Sequence, residues 1–180
     1  DLLAGNYEEV LNGHKSSRSK ASEIENAIKH HIKINIDDDP EYYKNLSERL
    51  EDIIKKYDEK WDELVQLLLN LRENIESDRK QQADDLGLTQ TELAFYNILL
   101  AEVGGSETPS QASQSQIKDV VQSLVSMLDE ATQIVDFFSK WDEQKRVKRD
   151  IKRVIIKNFD ESLVKPITER FMDLAETKYK

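Results

Sequence analysis

The 180-residue sequence has no cysteine, only 5 glycines and 3 prolines, and apolar residues make up 38% of it. Without cysteine there is no disulfide framework, no thiolate zinc or iron–sulfur site and no thiol nucleophile, and nothing requires an oxidising compartment. With so few Gly and Pro the chain lacks the turn residues that a β-sandwich or barrel needs at every bend, which leaves an all-α fold of charged helices. The apolar fraction lies below the usual range of roughly 45–50%, so the core is thin. No run approaches the roughly 18 continuous apolar residues of a membrane span, and Asp1-Leu2-Leu3-Ala4-Gly5 is not a signal peptide. A cytoplasmic protein without a membrane partner is expected. The sequence starts without Met and reads as a piece of a longer protein.

Charge is abundant, at 34% of residues, with a net value of −10. A uniform negative charge repels nucleic acid, but this one is segregated. Lys140 to Lys157 holds eight basic and three acidic residues, a local +5, while the remainder carries 18 basic and 33 acidic residues, or −15.

Apolar periodicity organises the chain into helices. A short helix is expected over Tyr7–Leu11, then a polar connection from His14 to Ser19. Ser22-Glu23-Ile24-Glu25 has the capping-box pattern and predicts a helix start, with Ile24, Ala27, Ile28 and Ile32 on its buried face. Asp37-Asp38-Asp39-Pro40-Glu41 predicts a new start at Pro40, because Asp caps free N–H groups, Pro tolerates the first position and acids favour the positive end of the dipole. From Glu41 to Leu86 there is neither Pro nor Gly. Tyr43, Leu46, Leu50, Ile53, Tyr57, Trp61, Leu64, Leu68, Leu71 and Ile75 recur at three- and four-residue spacing. An unbroken helix to about Gln82 would run roughly 64 Å. Two successive four-residue steps at Ile53, Tyr57 and Trp61 make a break near Tyr57-Asp58 the alternative.

Leu86-Gly87-Leu88 reads as a turn, and Thr89-Gln90-Thr91-Glu92 as a second capping box that opens a helix through Leu93, Tyr96 and Leu100. The segment 104–115 is polar and low in complexity, and is expected to be a flexible connection inside a single helical domain of residues 1–180. Ile117, Val120, Val121, Leu124, Val125 and Leu128 mark a further helix continuing to about Phe138. Another is expected from Trp141-Asp142, with Asp142 as its cap, to about Lys157, and a last one from Pro166. The economical packing is an elongated helical bundle whose later helices lie along the long central one.

Catalytic motifs are missing. There is no G-x-x-x-x-G-K-[ST], G-x-G-x-x-G, H-E-x-x-H or G-x-S-x-G. The side chains of His30 and His31 diverge by about 100° on a helix, so they do not chelate one metal together. The Asp37–Asp39 run lacks the Gly and the closing Glu of a calcium loop. E-x-K, a fragment of some nuclease sites, occurs at Glu143-Gln144-Lys145 and Glu176-Thr177-Lys178; with 19 Glu and 18 Lys in 180 residues, chance alone yields about two such tripeptides, and no second acid accompanies either on a strand. The feature above background is the basic helix. Val147, Ile151, Val154 and Ile155 occupy one arc, and Lys145, Arg146, Lys148, Arg149, Lys152, Arg153 and Lys157 cover nearly all the rest. Either this is a solvated face offsetting an acidic body, or it contacts DNA backbone or an acidic protein partner.

Two stretches together resemble the C-terminal helical region of the type I restriction enzyme R subunit, the motor and endonuclease subunit of that system. The first is Ala27-Ile28-Lys29-His30-His31-Ile32 followed by Asp38-Asp39-Pro40-Glu41-Tyr42-Tyr43-Lys44-Asn45-Leu46-Ser47-Glu48-Arg49-Leu50-Glu51. The second is Ile134-Val135-Asp136-Phe137 leading into Arg146-Val147-Lys148-Arg149-Asp150-Ile151-Lys152-Arg153. The family's Gly-Tyr-Pro-Pro-like tail is replaced here by Asn158-Phe159-Asp160-Glu161. The resemblance implies a parent ATP-dependent type I site-specific deoxyribonuclease whose nuclease and motor domains, with their ATP and Mg, lie upstream of this piece. It implies for the piece itself a non-catalytic, cofactor-free assembly domain that docks onto the methyltransferase and specificity subunits. DNA is then a partner of the whole complex.

Overall fold

The structure, a computed structural model, describes residues 16–104 and 111–180 together with Gly13. Among the described residues there are seven α-helices and no strand: α1 (Ser17–Asn35), α2 (Pro40–Lys56), α3 (Trp61–Leu86), α4 (Gln90–Gly104), α5 (Gln111–Thr132), α6 (Trp141–Asn158) and α7 (Val164–Tyr179). The fold is all-α, as composition and periodicity imply. The helix expected over Tyr7–Leu11 lies outside the described residues. None of the described helices is long and apolar enough to cross a membrane. The described residues form two compact units, one of 16–36 with 42–87 and one of 37–41 with 88–104 and 111–180.

In the first unit, α1 begins earlier than the Ser22 pattern suggests. The Ser16 hydroxyl already accepts from the Ser19 N–H at 3.2 Å, which satisfies one of the free donors of the first turn. Ser22 is therefore an exposed mid-helix residue. Pro40 opens α2 as expected, and the long stripe breaks after Lys56. Glu59 takes a left-handed conformation at φ 66°, and the Lys60 N–H closes the turn on the Tyr57 carbonyl at 3.1 Å. The break falls where the sequence takes two four-residue steps in succession, at Ile53, Tyr57 and Trp61. Those three residues are only partly buried. The core on either side is complete, with Tyr43, Leu46 and Leu50 of α2, Leu64, Leu68, Leu71 and Ile75 of α3, and Ile24, Ile28 and Ile32 of α1 in one cluster. Helix α1 packs along α3. Gly87 then ends α3 in the left-handed region at φ 62°, its N–H turned back to the carbonyls of Ala83 and Asp84.

The second unit is a ring of four helices in which α4 packs on α5 and α7, and α6 packs on α5 and α7. Its first helix starts at the predicted capping box. The Thr89 N–H donates to Glu92 Oε2 at 2.7 Å, and the Glu92 N–H donates to Thr89 Oγ1 at 3.1 Å. Helix α4 is buried over seven consecutive residues, Leu93 to Leu99, rather than along one stripe. Phe95 meets Phe171 of α7 edge-on with ring centroids 5.0 Å apart. Ile117, Val121, Leu124 and Leu128 of α5 and Val147, Ile151 and Ile155 of α6 complete the interior.

Four expected boundaries move. Residues 111–115, read as part of the connection, form the first turn of α5, while 105–110 lie outside the described residues. Helix α5 stops at Thr132 instead of Phe138, because Asp136 turns left-handed at φ 55° and a 3-10 turn, Phe137–Ser139, buries the Phe137 ring. Lys140, not Asp142, precedes α6 at the cap position and Asp142 sits in the first turn, where its charge favours the dipole without a capping bond. Helix α7 starts at Val164, two residues ahead of Pro166, directly from the 3-10 turn Glu161–Leu163. Asp160 accepts from the Ser162 hydroxyl and N–H, which together hold its carboxyl below the usual range.

Candidate functional site

Helix α6 places every sequence-predicted basic residue on the surface. Val147, Ile151 and Ile155 are buried and fix one edge in the bundle, and Lys145, Arg146, Lys148, Arg149, Lys152, Arg153 and Lys157 are all exposed. Their electrostatic surroundings differ. Arg146 pairs with Glu143 at 3.2 Å, and Asp150 sits between Arg149 at 3.7 Å and Arg153 at 3.2 Å. These are exposed contacts of one helix with itself, worth about 0.5 kcal/mol each at most. Lys145 instead lies over the Trp141 ring, 4.5 Å from its centroid. Lys148, Lys152 and Lys157 have no carboxylate partner among the described residues.

Two apolar residues on this helix escaped the sequence reading as members of the face. Trp141 is 68% exposed and Ile156 is 55% exposed. The signal for Ile156 was available on a helical wheel, since it follows Ile155 by about 100° and cannot share the buried edge.

The acid-rich turn before α2 is bound into the second unit. Asp39 is fully buried and accepts from Asn97 Nδ2 of α4 at 3.3 and 3.4 Å. Asp38 pairs with Lys178 of α7 at 3.0 Å. The Arg170 guanidinium donates to Glu41 and, at 2.8 Å, to Glu102 of α4. Burial works against the charge on Arg170, but the hydrogen bonds to Glu102 and Glu41 outweigh it and push its pKa above the ordinary value. A cavity of about 140 Å³ beside this clamp is lined by Asp37, Ile98, Asp173 and Thr177 among others. No group of three or more His, Asp or Glu able to hold a metal ion occurs among the described residues.

His30 and His31 are separated as their spacing requires. His30 is exposed, whereas His31 is buried in the first unit, edge-on to Tyr43 at 5.8 Å and 3.5 Å from the Glu76 carboxylate. Burial lowers the His31 pKa below 6.5, and Glu76 only partly opposes this. Nearby, the Tyr42 hydroxyl donates to the Ile75 carbonyl at 2.5 Å, and burial raises its pKa well above the usual phenol value. Both read as interior polar contacts of a helix packing.

A sequence profile for the family described as "Type I restriction enzyme HindI endonuclease subunit-like, C-terminal" matches residues 1–180. A relative from Methanocaldococcus jannaschii, named a putative type I restriction enzyme MjaIXP endonuclease subunit, is 26% identical over 153 residues. That match covers 82% of this chain and 14% of the relative's length. No solved structure matches. The profile covers the residues whose pattern suggested the resemblance, including the Asp-Pro helix start now seen at α2 and the basic helix now seen as α6. The chain therefore belongs to the type I restriction enzyme HindI endonuclease subunit-like C-terminal family.

Proposed function

We propose that this region is a non-catalytic assembly domain that docks the endonuclease subunit of a type I restriction enzyme onto its methyltransferase–specificity core. The observation that carries the reading is the division of labour within α6: one edge is locked into the four-helix ring, while the opposite side presents seven exposed cations and an exposed tryptophan. A side chain as large as Trp left in water on a rigid helix is what a protein contact uses as an anchor. The nuclease and ATP-driven motor functions belong, on this reading, to parts of the subunit outside this chain, and the whole complex acts on DNA in the cytoplasm. The test is co-purification of methyltransferase and specificity subunits with the complete endonuclease subunit, with and without this segment. Loss of co-purification on deletion is expected; undiminished binding overturns the proposal.

One observation favours a second reading, in which α6 contacts DNA backbone: Lys148, Lys152 and Lys157 lack carboxylate partners among the described residues. That reading requires duplex affinity that falls steeply with salt and drops when Arg146, Arg149 and Arg153 become Gln.

A further inference from the structure

The exposed side of α6 has an internal order. At 100° per residue, Lys148, Trp141, Lys152, Lys145, Ile156 and Arg149 follow one another within an arc of about 100°, and no acid of the helix falls inside it. The two apolar members, Trp141 and Ile156, are 68% and 55% exposed. They stand at opposite ends of the helix, 15 residues and so about 22 Å apart. Lys145, stacked 4.5 Å from the indole centroid, holds the Trp141 ring in place. The three acids of α6 lie outside the arc, and two of them, Glu143 and Asp150, are taken up by Arg146, Arg149 and Arg153.

We infer that this arc is the surface by which the region holds its partner, and that its occupant is an acidic amphipathic helix of the methyltransferase–specificity core; the inference rests on the docking role proposed above. The interleaving decides the chemistry. A face that merely offsets the acidic body needs cations but neither an indole nor an isoleucine among them. A nucleic-acid backbone is met by cations and N–H donors and would leave both apolar side chains unburied. A partner helix of about four turns spans the same 22 Å, covers Trp141 and Ile156 with apolar residues at its two ends, and sets carboxylates between them against Lys145, Lys148 and Lys152. The apolar ends supply the anchors and the lysines the register and the speed of encounter.

The test uses the complete endonuclease subunit and purified methyltransferase–specificity core, without DNA, with binding followed by biolayer interferometry. Trp141→Ala is expected to weaken binding about 30-fold, the effect of losing an interface anchor. Lys145→Glu/Lys148→Glu/Lys152→Glu is expected to slow association at least 10-fold at low salt and to flatten its salt dependence. Both variants should keep the wild-type melting temperature, because the altered side chains are exposed. A photo-crosslinking residue at position 156 is expected to label an acidic helix of the core. If deletion of the whole segment abolishes binding but both variants bind as wild type, docking stands and this face is the wrong surface. If deletion itself leaves binding intact, the docking role fails first. If the variants keep core binding but lose affinity for a mixed-sequence DNA duplex, the face is a phosphate surface and the inference is overturned.

Discussion

The Arg170 clamp makes the sharpest energetic prediction. Its guanidinium, with 30% of the side chain exposed, spans two carboxylates that are only 12% and 22% exposed, Glu41 at the start of α2 and Glu102 of α4. Replacing Arg170 by Met keeps the aliphatic reach but leaves both carboxylates facing a gap. Breaking a fully buried pair in this way costs about 3–5 kcal/mol, whereas an exposed pair is worth about 0–1 kcal/mol. Because Arg170 is nearly one-third in water, a loss of about 2–3 kcal/mol is expected. The cost arises from stranded charge, so removing the charges as well should restore most of it: R170M/E41Q/E102Q is expected within about 1 kcal/mol of wild type. Native-state hydrogen exchange of the α4 and α7 amides reports this unit directly, with urea midpoints as a second measure. A single-variant loss below about 0.5 kcal/mol, or a triple variant no more stable than the single, would refute the reasoning.

The other predictions are local. Thr89→Ala removes one half of the reciprocal cap at the start of α4 and is expected to cost about 1 kcal/mol, seen as faster exchange of the first α4 amides. Gly87→Ala forces a Cβ into a φ of 62° and should cost about 1 kcal/mol in a chemical melt. Ile28 and Leu68 are both fully buried in the first unit, and truncating either to Ala should cost about 2–4 kcal/mol; a value under about 1 kcal/mol would mean the α1–α3 contact is not the core of that unit. His31 gives a pH dependence. Its folded pKa is depressed below 6.5 by burial, so the unfolded chain takes up the proton first. The stabilisation is fully present above the unfolded value and is lost as pH falls toward the folded one. Melting temperatures measured between about pH 7.5 and about pH 5.5 should fall less in His31→Leu than in wild type.

Helix positions were legible wherever local chemistry decides them. The Thr89–Glu92 box and the Asp-Pro start at Pro40 each use side chains that act within one turn, and both are found where the pattern puts them. The Ser22 box has the same spacing and is not a cap, because Ser16 upstream had already provided an acceptor and nothing at Ser22 ends the helix. A motif for starting a helix is therefore informative only where the preceding residues cannot extend one. The partner of the α3 stripe was not legible for a different reason. Periodicity states which residues need covering but not which helix covers them, and within the first unit only the tertiary arrangement shows that α1 does. Helix α4 was marked by Leu93, Tyr96 and Leu100 at three- and four-residue spacing; the unbroken run Leu93-Ala94-Phe95-Tyr96 is the sign of its burial, since it leaves no side of that stretch for water.

The same distinction bears on the two charged features. Segregation of charge exposed the basic helix from counting alone, because seven cations on 13 consecutive residues cannot all be hidden by neighbours. The clamp gave no such signal: Glu41, Glu102 and Arg170 are scattered over 129 residues, and each looks like any other surface charge. Yet the clamp residues are the ones drawn into the protein, while the cations of α6 stay outside it. Pairing across sequence thus marks charges used to hold this fold, whereas the cations of the Lys148–Arg149 arc, with the exposed Trp141 and Ile156 among them, are the groups that the proposed docking would use.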